Sequence, residues 1–193
     1  MRNTFKTIAL LAVLFTTVMV SAKDLNITAD STEQSLVFEM EAAKQSTTIR
    51  IMDSRLQEIY GDVIAAGTPY FKKFDVSNLI SGNYTVSIED SLKRINYSVT
   101  IDGDTLEISK PKRTNKPVFR KKGDRIYVNL LNLDLEDIAI AVYDSEGRRL
   151  FSETNNADQI VQKAFNFEDA KNDSYTVMVR DASHTYYEEI VVK

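Results

Sequence analysis

The sequence predicts an all-β protein: two tandem antiparallel β-sandwich modules that follow a cleaved signal peptide. Three observations carry this prediction. The stretch 49–101 recurs at 140–192, so that Asp53-Ser54 returns as Asp144-Ser145 and Tyr84-Thr85-Val86 as Tyr175-Thr176-Val177, 91 positions later (144 − 53 = 91). Apolar and polar residues alternate with the period of two that marks half-buried strands. Turn residues interrupt these runs at short intervals, and no long helical spacing of apolar residues appears.

The N-terminus has the pattern of a secretory signal. Arg2 and Lys6 precede the apolar run 8–20, and Val20-Ser21-Ala22 supplies the small residues that a signal peptidase accepts. The run is short of the roughly 20 apolar residues that span a bilayer. We expect cleavage after Ala22, with an uncleaved anchor as the alternative, and no transmembrane segment afterwards. The expected location is the periplasm, the cell surface or the medium.

The amino-acid composition limits the kinds of reactive site, metal site and partner that this chain can have. The 193 residues contain no cysteine and one histidine, so a disulfide, a thiolate metal site and a cysteine nucleophile are all excluded. The formal net charge is −4, and removal of Arg2 and Lys6 with the signal takes the mature chain to −6. This acidity favours solubility and argues against nucleic acid as a partner.

The first module shows its strands as short alternating runs. Leu36, Phe38 and Met40 alternate with Val37 and Glu39. A hairpin is predicted from the runs 49–51 and 58–60, which flank Asp53-Ser54-Arg55. Further strands are predicted at 84–88, 95–101 and 106–108, the last two joined by the Asp102-Gly103-Asp104 turn. Phe74, which recurs as Phe165, is the predicted aromatic anchor of the core.

A basic segment separates the modules. It contains Pro111 and Pro117 among eight basic residues between positions 110 and 125. Prolines and charges together predict an extended, solvated linker; the alternative is a patch for an anionic glycan, a lipid surface or a polyanion. The predicted organisation is signal peptide 1–22, flexible lead-in 23–34, first β-sandwich module 35–109, linker 110–118 and second β-sandwich module 119–193.

The second module repeats the plan of the first. Strands are predicted at 126–130, 138–143, 149–151, 165–167, 175–179 and 186–192, with Asp144-Ser145-Glu146-Gly147 as the turn between the second and third. Antiparallel sandwiches are the usual outcome of many short strands without intervening helices. A module of about 75 residues buries only a modest core, so packing on a neighbour would stabilise it.

Three segments resemble a known family. They are Val142-Tyr143-Asp144-Ser145-Glu146-Gly147-Arg148, Leu79-Ile80-Ser81-Gly82-Asn83-Tyr84-Thr85-Val86 and the closing Ile190-Val191-Val192-Lys193. Each module is similar to the C-terminal sorting domain (Por secretion tail-like) of type IX secretion cargo in Bacteroidetes, a small seven-stranded immunoglobulin-like sandwich. The resemblance implies an immunoglobulin-like fold for both modules and the outer-membrane secretion machinery as partner. Its sorting-motif residues here are Asp144, Gly147, Arg148, Tyr175, Val177, Ile190, Val192 and Lys193.

Two departures from the family pattern stand out. The glycine before the tyrosine is replaced in the second module, which reads Asn172-Asp173-Ser174-Tyr175. The family also carries a large enzyme or adhesin ahead of its sorting domain, whereas another module stands there in this chain. The resemblance therefore leaves two expectations, a very small cargo or a fold kept for another task.

The residue inventory argues against catalysis, and neither a cofactor nor a metal is expected. His184 lies among Asp181, Ser183 and Thr185, but sequence neighbours in a turn do not converge on a substrate. Glu188-Glu189 is a candidate pair of catalytic carboxylates, but acidic side chains are usual on the outer face of any half-exposed strand.

Two functional hypotheses remain. The first is a non-catalytic exported protein whose terminal module is a sorting signal. The second is a periplasmic or cell-surface module that binds a protein or a glycan and has no sorting role.

Overall fold

The computed structural model describes residues 25–193, and each regular element among them is a β-strand. The first nine are β1 (Asn26–Asp30), β2 (Ser35–Met40), β3 (Thr47–Met52), β4 (Glu58–Ile64), β5 (Tyr70–Asp75), β6 (Gly82–Glu89), β7 (Lys93–Asp102), β8 (Thr105–Ile108) and β9 (Lys112–Asn115). The other seven are β10 (Val118–Lys122), β11 (Arg125–Leu131), β12 (Ile138–Tyr143), β13 (Arg149–Asn155), β14 (Ile160–Asn166), β15 (Asp173–Arg180) and β16 (Thr185–Val192). The predicted signal peptide 1–22 lies outside the described residues.

Both modules have the same sheet topology. In the first module, β1-β2-β5 form one sheet and β4-β3-β6-β7-β8 the other, with β9 also paired to β7. In the second module, β10-β11-β14 form one sheet and β13-β12-β15-β16 the other. The first, second and fifth strands thus face the third, fourth, sixth and seventh, which is an immunoglobulin-like sandwich. The predicted fold class, two tandem antiparallel sandwiches, is confirmed.

Local irregularities repeat with the same offset as the residues. The register slips between Ile51 and Met52 on β3, and again between Val142 and Tyr143 on β12. β6 and β15 have equal lengths and begin at Gly82 and Asp173, 91 positions apart. The internal repeat seen in the sequence is therefore a structural duplication.

Alternation along the strands builds two separate cores. Leu36, Phe38 and Met40 of β2 are buried and meet β3 and β6 of the facing sheet, while the intervening side chains are more exposed. The core of the second module is built in the same way around Ile126, Val128 and residues of β12 and β15. The two clusters share no residue, so each module has a core of its own.

Two segments predicted to lie outside the sandwich modules, the flexible lead-in and the extended linker, contain strands. β1 lies in the predicted lead-in 23–34 and pairs with β2, with Ile27 opposite Phe38 and only 7% exposed. β9 lies in the predicted linker 110–118 and pairs with β7, with Arg113 opposite Ile95. Charged and polar side chains are compatible with both strands because each lies at a sheet edge, where backbone hydrogen bonds supply the pairing. β10 then begins at Val118.

No helix in the described residues is long and apolar enough to cross a membrane.

Candidate functional site

The turn between β12 and β13 holds three of the sorting-motif residues. Asp144 is 6% exposed, and its Oδ1 accepts hydrogen bonds from the backbone N–H of Glu146 and Arg148 at 3.1 and 2.8 Å. Its Oδ2 accepts Nε of Arg148 at 2.7 Å. Burial works against the charged carboxylate, but these hydrogen bonds outweigh it and lower the pKa of Asp144. Gly147 takes a φ of 75°, which glycine adopts at little cost.

The corresponding turn of the first module uses the same two backbone bonds, while Gln57 stands at the position of Arg148. Asp53 Oδ1 accepts the N–H groups of Arg55 and Gln57, both at 2.9 Å. Leu56 occupies the position of Gly147 and takes a φ of 62°. The aspartate therefore closes this turn in both modules, including the one that is not C-terminal.

The remaining motif residues are core residues, apart from the last. Tyr175 is 6% exposed and its hydroxyl donates to the Lys171 carbonyl at 2.9 Å; Tyr84 does the same to Ile80 at 2.8 Å. This is the tyrosine corner of immunoglobulin-like sandwiches. Val177, Ile190 and Val192 are buried, and Lys193 is exposed. The eight residues thus form no common surface.

The glycine missing from the second module is not required by the fold. Gly82 does not take a positive φ, and a Cβ built on it would meet no atom closer than 4.0 Å. Asp173 occupies the equivalent place at the start of β15. This departure from the family pattern is therefore structurally neutral.

His184, the candidate of the triad-like group, faces the other module. Its backbone N–H and that of Ser183 donate to Asp181 Oδ1, which closes the β15–β16 hairpin. Its ring contacts the guanidinium of Arg94, a residue of β7. His184 is thus a turn residue that also makes an intermodule contact, a pairing across 90 positions that no local pattern reveals.

A cluster of ion pairs centred on Glu89 ties the connecting segment to the first module. Glu89 accepts Lys116 Nζ at 2.5 Å and Arg94 Nη2 at 3.0 Å, and Arg50 Nη1 lies 3.6 Å away. Burial works against the charged carboxylate, but hydrogen bonds from Lys116 and Arg94 outweigh it, so the pKa of Glu89 is lowered. Lys116 Nζ also donates to the Asp90 carbonyl at 2.6 Å. The predicted linker is thereby held at its C-terminal end.

A second polar cluster, which the sequence analysis missed, joins β4 to β5. Asp62 Oδ2 accepts the hydroxyls of Tyr60 at 2.7 Å and Tyr70 at 3.2 Å, and Lys72 Nζ donates to Tyr60 at 2.5 Å. The bond to Tyr60 raises the pKa of Lys72, and burial raises that of Tyr70. Because β4 and β5 belong to different sheets of the first module, these bonds clamp the two sheets together. Phe151 and Val161 stand at the positions of Tyr60 and Tyr70 in the second module, and these two differences were the signal of the cluster in the sequence.

An apolar groove lies where the two modules meet. Four exposed apolar side chains line this junction groove, which has a volume of about 360 Å³: Leu92, Val118, Leu131 and Ile160. Leu131 pairs with Ile160 across β11 and β14, and Leu92 comes from the β6–β7 hairpin of the first module. Asn115, Lys116, Asn129 and Gln162 form its polar border. The corresponding positions of the repeat differ: Ser183 replaces Leu92, and the counterpart of Leu131 is the buried Met40.

Comparisons with family models and with curated proteins find no match. Among solved structures, the chain is similar to the BSP domain of a biofilm-associated protein (13% identity, TM-score 0.29, 88% of this chain and 29% of that one). It is also similar to chicken CNTN1 FN1-FN3 domains (10%, 0.30, 89% and 64%) and the human OSCAR ligand-binding domain (9%, 0.25, 87% and 96%). The chain thus spans less than two thirds of the first two. TM-scores this low carry no argument about function.

Proposed function

We propose that this chain is an exported, non-catalytic binding protein that contacts a protein partner through the junction groove. The observation that carries the proposal is the contiguous set of exposed apolar side chains to which both modules contribute. Apolar side chains grouped in one groove and bordered by polar ones are typical of interaction sites. The β6–β7 hairpin, which faces the groove, carries the apolar Leu92, whereas the equivalent β15–β16 hairpin carries Ser183. This difference supports a role for both modules together.

The lining of the groove favours a protein over the other partner classes. Asn115, Asn129 and Gln162 offer neutral amides, and Lys116 is already bound to Glu89. Glycan sites commonly use exposed aromatic rings, and none of the residues that line the groove is aromatic. The acidic net charge of −4 argues against nucleic acid.

A photo-crosslinking residue in place of Gln162 tests the groove in the native host. We expect a crosslinked adduct of defined mass, which Ile160→Glu abolishes because a carboxylate cannot be buried unpaired against apolar atoms. Leu150→Glu is the matched control, because Leu150 is similarly exposed but lies on β13 in the other sheet. The proposal fails if no adduct forms or if both substitutions act alike. Thermal unfolding of each purified variant verifies folding.

Sorting is the second candidate function. What favours it is the self-contained core of the second module, whose buried residues all lie between Ile126 and Val192. A terminal module that is removed after export must fold without its neighbour. Against it, Asp144 and Tyr175 make the same bonds as Asp53 and Tyr84, so the fold alone accounts for these motif residues.

Intact masses of the protein from the periplasm, the cell surface and the medium of its native host separate the two candidates. Surface or medium material shortened by roughly the second module supports sorting, since sorting domains of the family resembled are removed after export. A periplasmic chain that runs from Lys23 to Lys193 contradicts sorting and leaves the binding function in place.

A further inference from the structure

We propose that the outer edge of β16 binds an extended polypeptide segment that carries a basic residue between two apolar ones on a single face, by adding it as a further strand to the sheet. This goes beyond the groove, because β16 belongs to the other sheet of the second module. Among residues 25–193, β16 pairs with β15 and with no other strand. Such an edge presents a row of backbone donors and acceptors to any incoming strand.

The β15–β16 hairpin shows which backbone groups point outward. Asp181 N donates to His184 O at 3.0 Å, which makes these two residues a hydrogen-bonded pair. Bonded and non-bonded pairs alternate along an antiparallel ladder, so even-numbered residues of β16 bond to β15. The N–H and C=O groups of Thr185, Tyr187, Glu189 and Val191 therefore face away from β15; we call these groups the open edge.

The first module shows what such an edge accepts. β7, the counterpart of β16, is covered on the same side by β8 and β9. Ser98, which corresponds to Glu189, donates its N–H to Ser109 Oγ and accepts the N–H of Ser109, both at 2.9 Å. β9, with the sequence Lys-Arg-Thr-Asn, is a basic strand in this position. The second module has the same ladder without this cover in the described residues.

The side chains around the open edge determine the partner's chemistry. Tyr187 and Val191 are 63% and 58% exposed, and Glu189 lies between them. These three residues share one face of the sheet, so their neighbours on an added strand are also two residues apart. Such neighbours are stabilising when apolar beside Tyr187 and Val191 and basic beside Glu189. On the core-facing side, Glu188 is already paired with Lys121 Nζ at 2.7 Å. The outward carboxylate of Glu189 is bonded only to the neutral Ser174 hydroxyl among the described contacts.

The same charges argue against a second copy of this chain as the occupant. Two β16 strands that pair about a two-fold axis near their centres would bring Glu188 and Glu189 close to their own copies. Like charges directly opposite one another are destabilising. β16 has eight residues in unbroken register and carries no bulge, proline or lysine that would block strand addition. An unlike, basic strand is therefore the favoured occupant.

Binding of a nine-residue threonine peptide with valine, lysine and valine at positions 3, 5 and 7, which share one face of a strand, to residues 23–193 tests the proposal. We expect saturable binding with a Kd in the micromolar range, at least tenfold tighter than for the valine–glutamate peptide, in which glutamate replaces the lysine. N-methylation of the peptide backbone abolishes it. Amide hydrogen exchange slows at Tyr187, Glu189 and Val191, while Ser98 in the first module is unchanged.

Two variants sharpen the test without disturbing the core. Glu189→Lys reverses the preference, so that the valine–glutamate peptide binds more tightly. Val191→Pro removes an outward N–H at a position where an edge strand accepts proline, and it weakens binding at least tenfold. Equal affinity for both peptides, indifference to N-methylation or no binding at millimolar peptide overturns the proposal. So does a dimer of the unliganded protein that Val191→Pro disrupts, since a second copy would then be the occupant.

Discussion

A single backbone conformation separates the two otherwise equivalent turns. Gly147 takes a φ of 75° in the second module, whereas Leu56 takes 62° in the first. A residue with a Cβ in this left-handed region is strained by roughly 1–2 kcal/mol relative to glycine. Leu56 is 72% exposed and contributes little burial in return. The first module therefore carries strain that the second avoids.

Leu56→Gly should stabilise the first module by about 0.5–1 kcal/mol. The substitution relieves the left-handed strain, and the greater freedom of glycine in the unfolded chain offsets part of the gain. Chemical unfolding that resolves the transitions of the two modules measures the change.

The reciprocal substitution is the control. Gly147→Ala should destabilise the second module by about 1 kcal/mol, because alanine has the Cβ that glycine lacks. Loss of stability in Leu56→Gly would show that Leu56 makes a contact worth more than its strain.

At the scale of the strands, the sixth strand of each module is anchored by its tyrosine. The hydroxyls of Tyr84 and Tyr175 bond to carbonyls four residues upstream, which fastens the preceding loop to the sheet. Both rings lie in the cores, and Phe167 packs on Tyr175 at 5.1 Å between ring centroids. The same element thus organises both sandwiches.

Tyr175→Phe should destabilise the second module by about 1 kcal/mol, the net worth of one hydrogen bond. Tyr84→Phe should have a similar effect on the first module. The exposed Tyr187 is the matched control, because Tyr187→Phe should stay within about 0.5 kcal/mol of the wild type. Thermal unfolding followed by circular dichroism measures all three. Equal effects at Tyr175 and Tyr187 would contradict the anchoring role.

For the whole molecule, the contacts near Glu89 decide how the modules are joined. The Glu89 carboxylate binds both Lys116 and Arg94. Lys116 belongs to the connecting segment, and Arg94 also contacts His184 of the second module. Asn115 Nδ2 donates to the Leu131 carbonyl of the second module at 2.9 Å. Ion pairs and hydrogen bonds therefore hold the connecting segment to both modules.

Glu89→Gln should weaken this connection by about 1–2 kcal/mol at pH 7, because hydrogen bonds to a charged group are worth more than neutral ones. The pKa of folded Glu89 lies below its ordinary value of 4.5. The ionised group thus contributes stability above pH 4.5, and this contribution is lost as the pH falls through the lower folded pKa.

Calorimetric unfolding between pH 3 and pH 7 checks the prediction. The stability difference between wild type and Glu89→Gln should be full at neutral pH and shrink at the acid end. Glu153→Gln is the control, since Glu153 pairs with Lys163 at 2.5 Å away from the junction. A difference that does not change with pH would contradict the role assigned to the Glu89 charge.

The sequence by itself determined the strand content, the duplication and most of the core. Alternation is a local signal, so the strands of residues 84–88 and 95–101 were predicted close to their observed positions in β6 and β7. Phe74, the predicted aromatic anchor, packs on Phe38 at 4.8 Å between ring centroids. The sorting-motif residues were also singled out in the sequence, and the structure places all of them except Lys193 in the β12–β13 turn or in the core.

Only the tertiary structure decided what covers each sheet edge and what joins the modules. β1 and β9 lie in segments predicted as a flexible lead-in and an extended linker, because composition does not record which strand lies alongside. The junction groove and the contact between Arg94 and His184 combine residues far apart in the chain. Within the described residues, the edge of β7 is covered and that of β16 is open because their neighbouring strands differ, and those neighbours are set by the path of the whole chain. Pairing across such distances is a property of the folded molecule, and a local sequence pattern cannot contain it.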